Sequence, residues 1–160
     1  MKPTRLATLV ALLISAGVVT WGALRIEESR GTVPPPLPWA APFGIALLGI
    51  GVLVSAIALR RRLRGTPGTR PPQPIGVARM AVLGKASSHV GSLLGGVYGG
   101  YAVLLVPSLD IDARRERAIV AVIALLAALL LVVAGLLLER TCRVEPPRGD
   151  REPPPGMPGP

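Results

Sequence analysis

The sequence predicts an all-α integral membrane protein: a four-helix bundle with both termini in the cytoplasm and a disordered, proline-rich C-terminal tail. Apolar residues are gathered into four blocks, and none of them contains an internal Asp, Glu, Lys or Arg. Each block has about the 20 residues that a helix needs to cross a bilayer. The polar connections are too short and too rich in Pro and Gly to form a core of their own, which excludes a soluble catalytic domain.

The predicted spans are residues 6–24, 39–59, 86–106 and 118–138. They form one transmembrane domain, residues 1–143, and the tail occupies residues 144–160.

The first span follows Lys2 and Arg5, as the core of a secretory signal peptide would. Its apolar run of nineteen residues is longer than such cores usually are, and no clear small-residue cleavage site precedes its end. We therefore expect a retained helix. A row of small residues is expected to pack against another helix; it consists of Ala7, Ala11 and Ser15.

The second span begins at Trp39, after a proline cluster that predicts a stiff spacer. A loop at residues 60–85 follows it and holds seven cations and no acid. Most of the net charge of +9 therefore lies at one end of the spans, where it orients helices and attracts anionic lipid. The residues of this lipid and topology anchor are Arg60, Arg61, Arg62 and Arg64.

The third span carries small residues at every fourth position in two adjacent rows. Such rows let two helix backbones approach closely in a membrane, so they predict a helix-packing face on the central helix of the bundle. Its partner is another helix of the same chain, a second copy or a different protein, and a substrate path is a further alternative. The face consists of Ser87, Ser88, Gly91, Ser92, Gly95, Gly96, Gly99 and Gly100.

Lys85 and His89 form a candidate polar site at the start of this span, because a spacing of four residues places both on one helix face. Ionisable residues in a membrane are costly to bury and are often functional. His89 lies close to the headgroup region, so a structural or interfacial role is the first interpretation. Binding of a ligand, a proton or a lipid headgroup is the alternative.

The fourth span follows a short turn in which Asp110 or Asp112 is expected to cap the helix. No third ligand follows this acidic pair, so we expect no metal site there. The span is composed mainly of Leu, Ala and Val and is interpreted as a lipid-facing or bundle-closing helix. Cys142 is the single cysteine, which excludes an intramolecular disulfide and a cysteine zinc site.

The distribution of Lys and Arg predicts the orientation. The side with the N-terminus, the 60–85 loop and the tail holds thirteen of these cations, and the opposite side holds five. Because cations are retained in the cytoplasm and an even number of spans places both ends together, both termini are predicted to be cytoplasmic. The aromatic residues then fall in the outer half, as an interfacial belt requires.

Several motifs resemble a known family. They are MKPTR at the start, Pro38-Trp39, the run GVARMAVLGKASSHVG from Gly76, GGVYGGY from Gly95, and LERTC from Leu138. In these motifs, which span residues 1–143, the chain is similar to the actinobacterial four-span membrane proteins classed as domain of unknown function 3180. The resemblance implies a location in the plasma membrane, and it supplies no catalytic residues.

The leading hypothesis is a non-enzymatic plasma-membrane protein that binds a partner helix or anionic lipid through the third span and the basic loop. Its partners would be membrane lipids, another membrane protein or further copies of itself. The alternative is an oligomeric transporter or channel subunit, although the spans lack a carboxylate for proton coupling. A third hypothesis is a membrane enzyme that uses His89, for which no acid or metal-ligand set is found. No cofactor, metal or nucleic-acid partner is expected, since the basic residues are not interleaved with aromatic ones.

Overall fold

The computed structural model describes residues 5–31, 37–63, 74–108 and 110–142. These ranges form four α-helices, as predicted: α1 is Leu6–Ser29, α2 is Ala40–Leu63, α3 is Pro74–Leu105 and α4 is Asp112–Cys142. A 3₁₀ turn, Val106–Ser108, follows α3. The tail at residues 144–160 and the loop from Arg64 to residue 73 lie outside the described residues, as does the side chain of Arg62.

The helices are longer than the apolar blocks that predicted them. α1 continues through its polar flank to Ser29, and α3 begins at Pro74, twelve residues before the predicted span. Proline suits this first position because a helix leaves its first N–H groups without an internal partner in any case. Residues 75–84, which precede the apolar block, therefore extend α3 at its N-terminal end.

The four helices lie side by side in the order α1, α3, α4, α2. α3 packs between α1 and α4, and α4 packs between α3 and α2. The predicted bundle is therefore open, since α1 and α2 lie at opposite edges of the row within the described residues. α3 shares the central position with α4.

Contacts between glycines and their neighbours give the helix directions. Gly17 of α1 lies against Gly96 and Gly100 of α3, and Leu24 packs further along beside Leu104, so α1 and α3 are parallel. α4 runs against α3, as three contacts show: Gly84 with Gly135, Gly91 with Val132, and Gly99 with Leu125.

α2 is parallel to α4, because Gly49 lies against Leu131 and Ala56 joins a cluster that extends to Leu138. The helices therefore alternate in direction along the chain. We call the end with Leu6 and Cys142 the terminal side, and the end where α3 is connected to α4 the turn side. The first residue of α1 and the last residue of α4 lie at the same end.

α4 is an inner helix of the row, so it does not close the bundle, and its outer face, with Leu126 and Val133, is exposed. Its buried residues recur every three or four positions, and the alanines among them allow close packing against α3 and α2. The stripe is continuous in the structure and was hidden in the sequence among Leu and Val. Its fully or nearly fully buried small residues are Ala118, Ala121, Ala124, Ala127, Ala128, Ala134 and Gly135.

Three helices, α1, α2 and α4, are long and apolar enough to cross a membrane. Large apolar side chains cover their outer surfaces, and Leu47 on α2 is 77% exposed. A soluble protein rarely leaves so continuous an apolar surface in water. The chain is therefore a multi-pass membrane protein. α3 does not belong to this apolar set, since Gly, Ser and His89 lower the hydropathy of its sequence.

Candidate functional site

The small-residue face of α3 is divided between two neighbouring helices. Gly96 and Gly100 contact α1, whereas Gly91 and Ser87 contact α4. Gly95 lies between them and is near both Leu13 of α1 and Ala128 of α4. Most of the face is thus covered by α1 and α4 of the same chain, which leaves little of it for a partner's helix. Seven of its eight residues are buried, and Gly99 is half-buried: Ser87, Ser88, Gly91, Ser92, Gly95, Gly96, Gly99 and Gly100.

The contact between α1 and α3 brings two backbones together. A Cβ atom at Gly96 would overlap the carbonyl oxygen of Leu13, and one at Gly100 would overlap the carbonyl oxygen of Gly17. A Cβ at Gly17 itself would lie 3.3 Å from the Gly96 carbonyl oxygen. Glycine is required at the two α3 positions because backbone atoms cannot move aside as a flexible side chain can.

The predicted small-residue row of α1 is not the surface that packs. Ala7, Ala11 and Ser15 are all exposed. The packed surface instead includes Gly17 and Leu13, because the close approach at Gly96 rotates that side of α1 toward α3.

The serines of α3 are satisfied by their own helix. The Ser88 hydroxyl donates to the Lys85 carbonyl over 2.8 Å, and the Ser92 hydroxyl donates to the Ser88 carbonyl over 2.9 Å. Both residues are almost fully buried against α4. Their role is to allow close packing without an unsatisfied polar group.

Lys85 and His89 lie on one helix face, as predicted, and are joined through the backbone. The Nδ1 atom of His89 lies 2.8 Å from the Lys85 carbonyl oxygen. Since a carbonyl only accepts, Nδ1 carries the proton in this bond and Nε2 is left for another interaction. The imidazole is half-buried and Lys85 is exposed.

An open groove lies over the part of α3 that α1 and α4 leave uncovered. Its volume is about 1040 Å³. Its floor includes Gly95 and Gly99, and its walls are apolar side chains of α1 and α4 such as Val18 and Val122. At the turn side the groove is bordered by Arg115 and, on α1, by Trp21. The surface is therefore apolar along its length and cationic at one end.

Polar side chains hold the helices together at the turn side. Arg114 of α4 pairs with Glu28 of α1 over 3.1 Å, and Arg25 also reaches Glu28, over 3.3 Å. The Nε1 atom of Trp39 donates to Glu116 over 3.4 Å. These groups are partly exposed, so each pair contributes at most about 1 kcal/mol. They fix the register of α1 and α2 on α4.

The three arginines in the first turns of α4 have different partners. Arg114 is held by Glu28, and Arg117 bonds to the hydroxyl of Tyr101. The Arg115 side chain is exposed and makes no hydrogen bond or ion pair with the residues that the structure describes. It is the arginine that faces the groove.

A family model described as "Protein of unknown function (DUF3180)" matches residues 9–146, which is most of the chain. The chain belongs to the DUF3180 family. This confirms the resemblance found in the sequence motifs. No curated protein and no solved structure matches this DUF3180 chain.

Two residues of the predicted anchor of this DUF3180 protein, Arg60 and Arg61, are exposed on the last turn of α2, on the terminal side. Asp112 is in the first turn of α4, where the carbonyl of Ile111 accepts the first helical hydrogen bonds, so neither aspartate occupies the capping position. No group of three or more potential metal ligands is found among the described residues.

Sequence reasoning missed the groove of this DUF3180 protein. Arg115 is one of the five cations counted on the opposite side, and Trp21 is one of the aromatic residues of the outer half. Nothing in a linear sequence shows which helices lie on either side of α3. A usable signal was present in the α4 sequence, since the alanine stripe indicates an inner helix. An inner α4 would have placed its first turn beside the end of α3.

Proposed function

We propose that this DUF3180 chain is a non-enzymatic, four-span protein of the plasma membrane that binds a lipid or a partner's helix along α3. The observation that carries the proposal is the groove between α1 and α4, where Gly99 is left uncovered and a Cβ there would meet only Leu125, at 3.8 Å. The other glycines of α3 at this level are closed by neighbouring helices. An exposed glycine floor lets an apolar molecule approach the backbone closely. The exposed Arg60 and Arg61 would add attraction for anionic lipid on the other side.

We propose α3 as the fourth span although its sequence is the least apolar. It is packed between α1 and α4, so its serines and glycines face protein rather than lipid. Polar and small residues are tolerated in a span when they face other helices. The alternating helix directions are those of a chain that crosses the membrane four times, and the excess of Lys and Arg on the terminal side supports a cytoplasmic location for that side.

Cysteine labelling tests this topology. In a Cys142→Ser background, a membrane-impermeant maleimide added to intact cells is expected to label Asp110→Cys strongly. Arg79→Cys, at the other end of α3, is expected to react only after the cells are permeabilised, because the loops that flank a span lie on opposite sides. Equal labelling of both positions in intact cells would show that α3 does not cross. Labelling of Arg79→Cys alone would reverse the orientation.

Photocrosslinking tests the binding function. A benzophenone amino acid at Val103, which is 59% exposed in the groove, is expected to capture one lipid species or one protein species in native membranes. The matched control is the same group at Leu47, on the outer face of α2, where only bulk lipid should react. Filling the groove with Gly99→Leu should remove the Val103 product. Identical products at Val103 and Leu47 would contradict a binding role for the groove.

A further inference from the structure

We infer that the occupant of the groove is a single anionic phospholipid, with its acyl chain on the glycine floor and its phosphate bound by Arg115. This inference rests on the proposed binding function of α3 and names its ligand. Three observations carry it: the length of the groove, the chemistry of its mouth, and the lack of another role for Arg115.

The groove has the length of one membrane leaflet. Along α4 it runs from Arg115 to Leu125, and ten residues at about 1.5 Å each give about 15 Å. The hydrocarbon core of a bilayer is about 30 Å thick, so this is half of it. A lipid whose headgroup lies at the interface would extend its acyl chain along this distance. The groove therefore fits one leaflet's lipid in depth.

The mouth of the groove has the chemistry of a headgroup site. The planar guanidinium of Arg115 can donate two parallel hydrogen bonds to a phosphate. Trp21 borders the same end of the groove, and tryptophan is enriched at the level of lipid headgroups. Apolar wall residues occupy the rest, including Ile14, Val18 and Ile119. Charge is thus present only where the headgroup would lie.

Arg115 has no structural task in the described part of the chain. The side chains of Arg114 and Arg117 bond to α1 and to the end of α3, whereas the guanidinium of Arg115 makes no hydrogen bond or ion pair with the described residues. An apolar helix from a partner or a second copy would cover the glycine floor and leave this cation facing apolar side chains, which is unfavourable. An anionic lipid would cover the glycine floor with its acyl chain and pair its phosphate with Arg115.

Native mass spectrometry of the full chain tests the inference. The protein in nonionic detergent is titrated with phosphatidylglycerol or with phosphatidylcholine of the same acyl chains. We expect one phosphatidylglycerol to be retained in preference to phosphatidylcholine. Arg115→Gln should weaken this retention at least about fivefold, the loss expected for one interfacial cation. Arg115→Lys should retain part of it, because it keeps the charge and loses the two-bond geometry.

Two further variants complete the test. Gly99→Leu should reduce retention of both lipids, since a Cβ at this position would meet only the Leu125 side chain, at 3.8 Å, and the larger side chain would occupy the floor of the groove. Arg30→Gln, which removes an exposed cation on the same side but outside the groove, should bind as the native chain does. Equal retention by native, Arg115→Gln and Gly99→Leu proteins would overturn the inference, as would a dimer that these variants dissociate.

The two experiments distinguish a wrong lipid assignment from failure of the proposed binding function. If Val103 crosslinks to a protein helix while Arg115→Gln leaves lipid retention unchanged, α3 binds a partner and the lipid assignment is wrong. If neither a specific crosslink nor a retained lipid is found, the binding function itself fails.

Discussion

Gly100→Ala is expected to release α1 from α3 and to destabilise that contact by about 2 to 3 kcal/mol, in the upper range for overpacking. A Cβ at this position would overlap the carbonyl oxygen of Gly17 and would lie 3.1 Å from its carbonyl carbon. Both are backbone atoms, so only movement of the whole helix relieves the overlap. α1 packs mainly on α3 and has two buried side chains, Leu9 and Leu24, so little else resists that movement.

A distance measurement reports the release of α1. Spin labels at Arg30→Cys and Asp110→Cys, in a Cys142→Ser background, are expected to give a narrow distance distribution in the native sequence and a broad one with Gly100→Ala. Gly99→Ala is the matched control, because its Cβ would have an ordinary contact with Leu125 and no backbone neighbour. If the two substitutions broaden the distribution equally, the close backbone approach is not what holds α1.

The four helices were readable from the sequence because helix formation depends largely on local properties. Apolar blocks of span length predicted four helices, and each is found. The ends differ because helix formation does not stop where apolarity does: α1 continues through the Glu27 and Glu28 segment to Ser29. Proline at position 74 suits the early start of α3 for an equally local reason.

Helix pairing was not readable in the same way. The spacing of Gly96 and Gly100 predicts a close contact but does not name the partner, which is Gly17 of α1. The exposed row of α1 at Ala7 and Ala11 has the same spacing and packs on nothing within the described residues. Small residues permit approach, and the choice between two such rows depends on the shapes of both helices.

The groove exists because of which helices pack against which, so it could not be predicted until the neighbours of α3 were known. The open row α1, α3, α4, α2 leaves one side of α3 uncovered between its neighbours, and this is what places Gly99 and Arg115 in the same groove. In a closed bundle the same residues would be interior. The candidate site is thus a consequence of helix order, whereas its chemistry was already present in the residues.

Gly135→Ala is expected to disrupt the contact between α3 and α4 and to lower the free energy of unfolding by about 2 to 3 kcal/mol. Its Cβ would lie 2.6 Å from the Gly84 carbonyl oxygen and 2.8 Å from the Ser88 nitrogen. The reverse also holds, since a Cβ at Gly84 would lie 2.8 Å from the Gly135 carbonyl oxygen. α1 packs on α3 and α2 packs on α4, so separation of these two inner helices should affect the whole protein.

Cys142 provides the measurement. The single thiol is half-buried against the apolar cluster of α2 and α4, so its reaction with a maleimide dye during SDS titration reports unfolding of these helices. Gly135→Ala should move the midpoint to lower SDS, whereas Gly51→Ala, which has no neighbouring atom within 4 Å, should leave it unchanged. Gly100→Ala should alter this midpoint less than Gly135→Ala does, because α1 is distant from Cys142 in the row. An unchanged midpoint with Gly135→Ala would mean that α3 and α4 do not cross at Gly84, and the order of the helices would have to be revised.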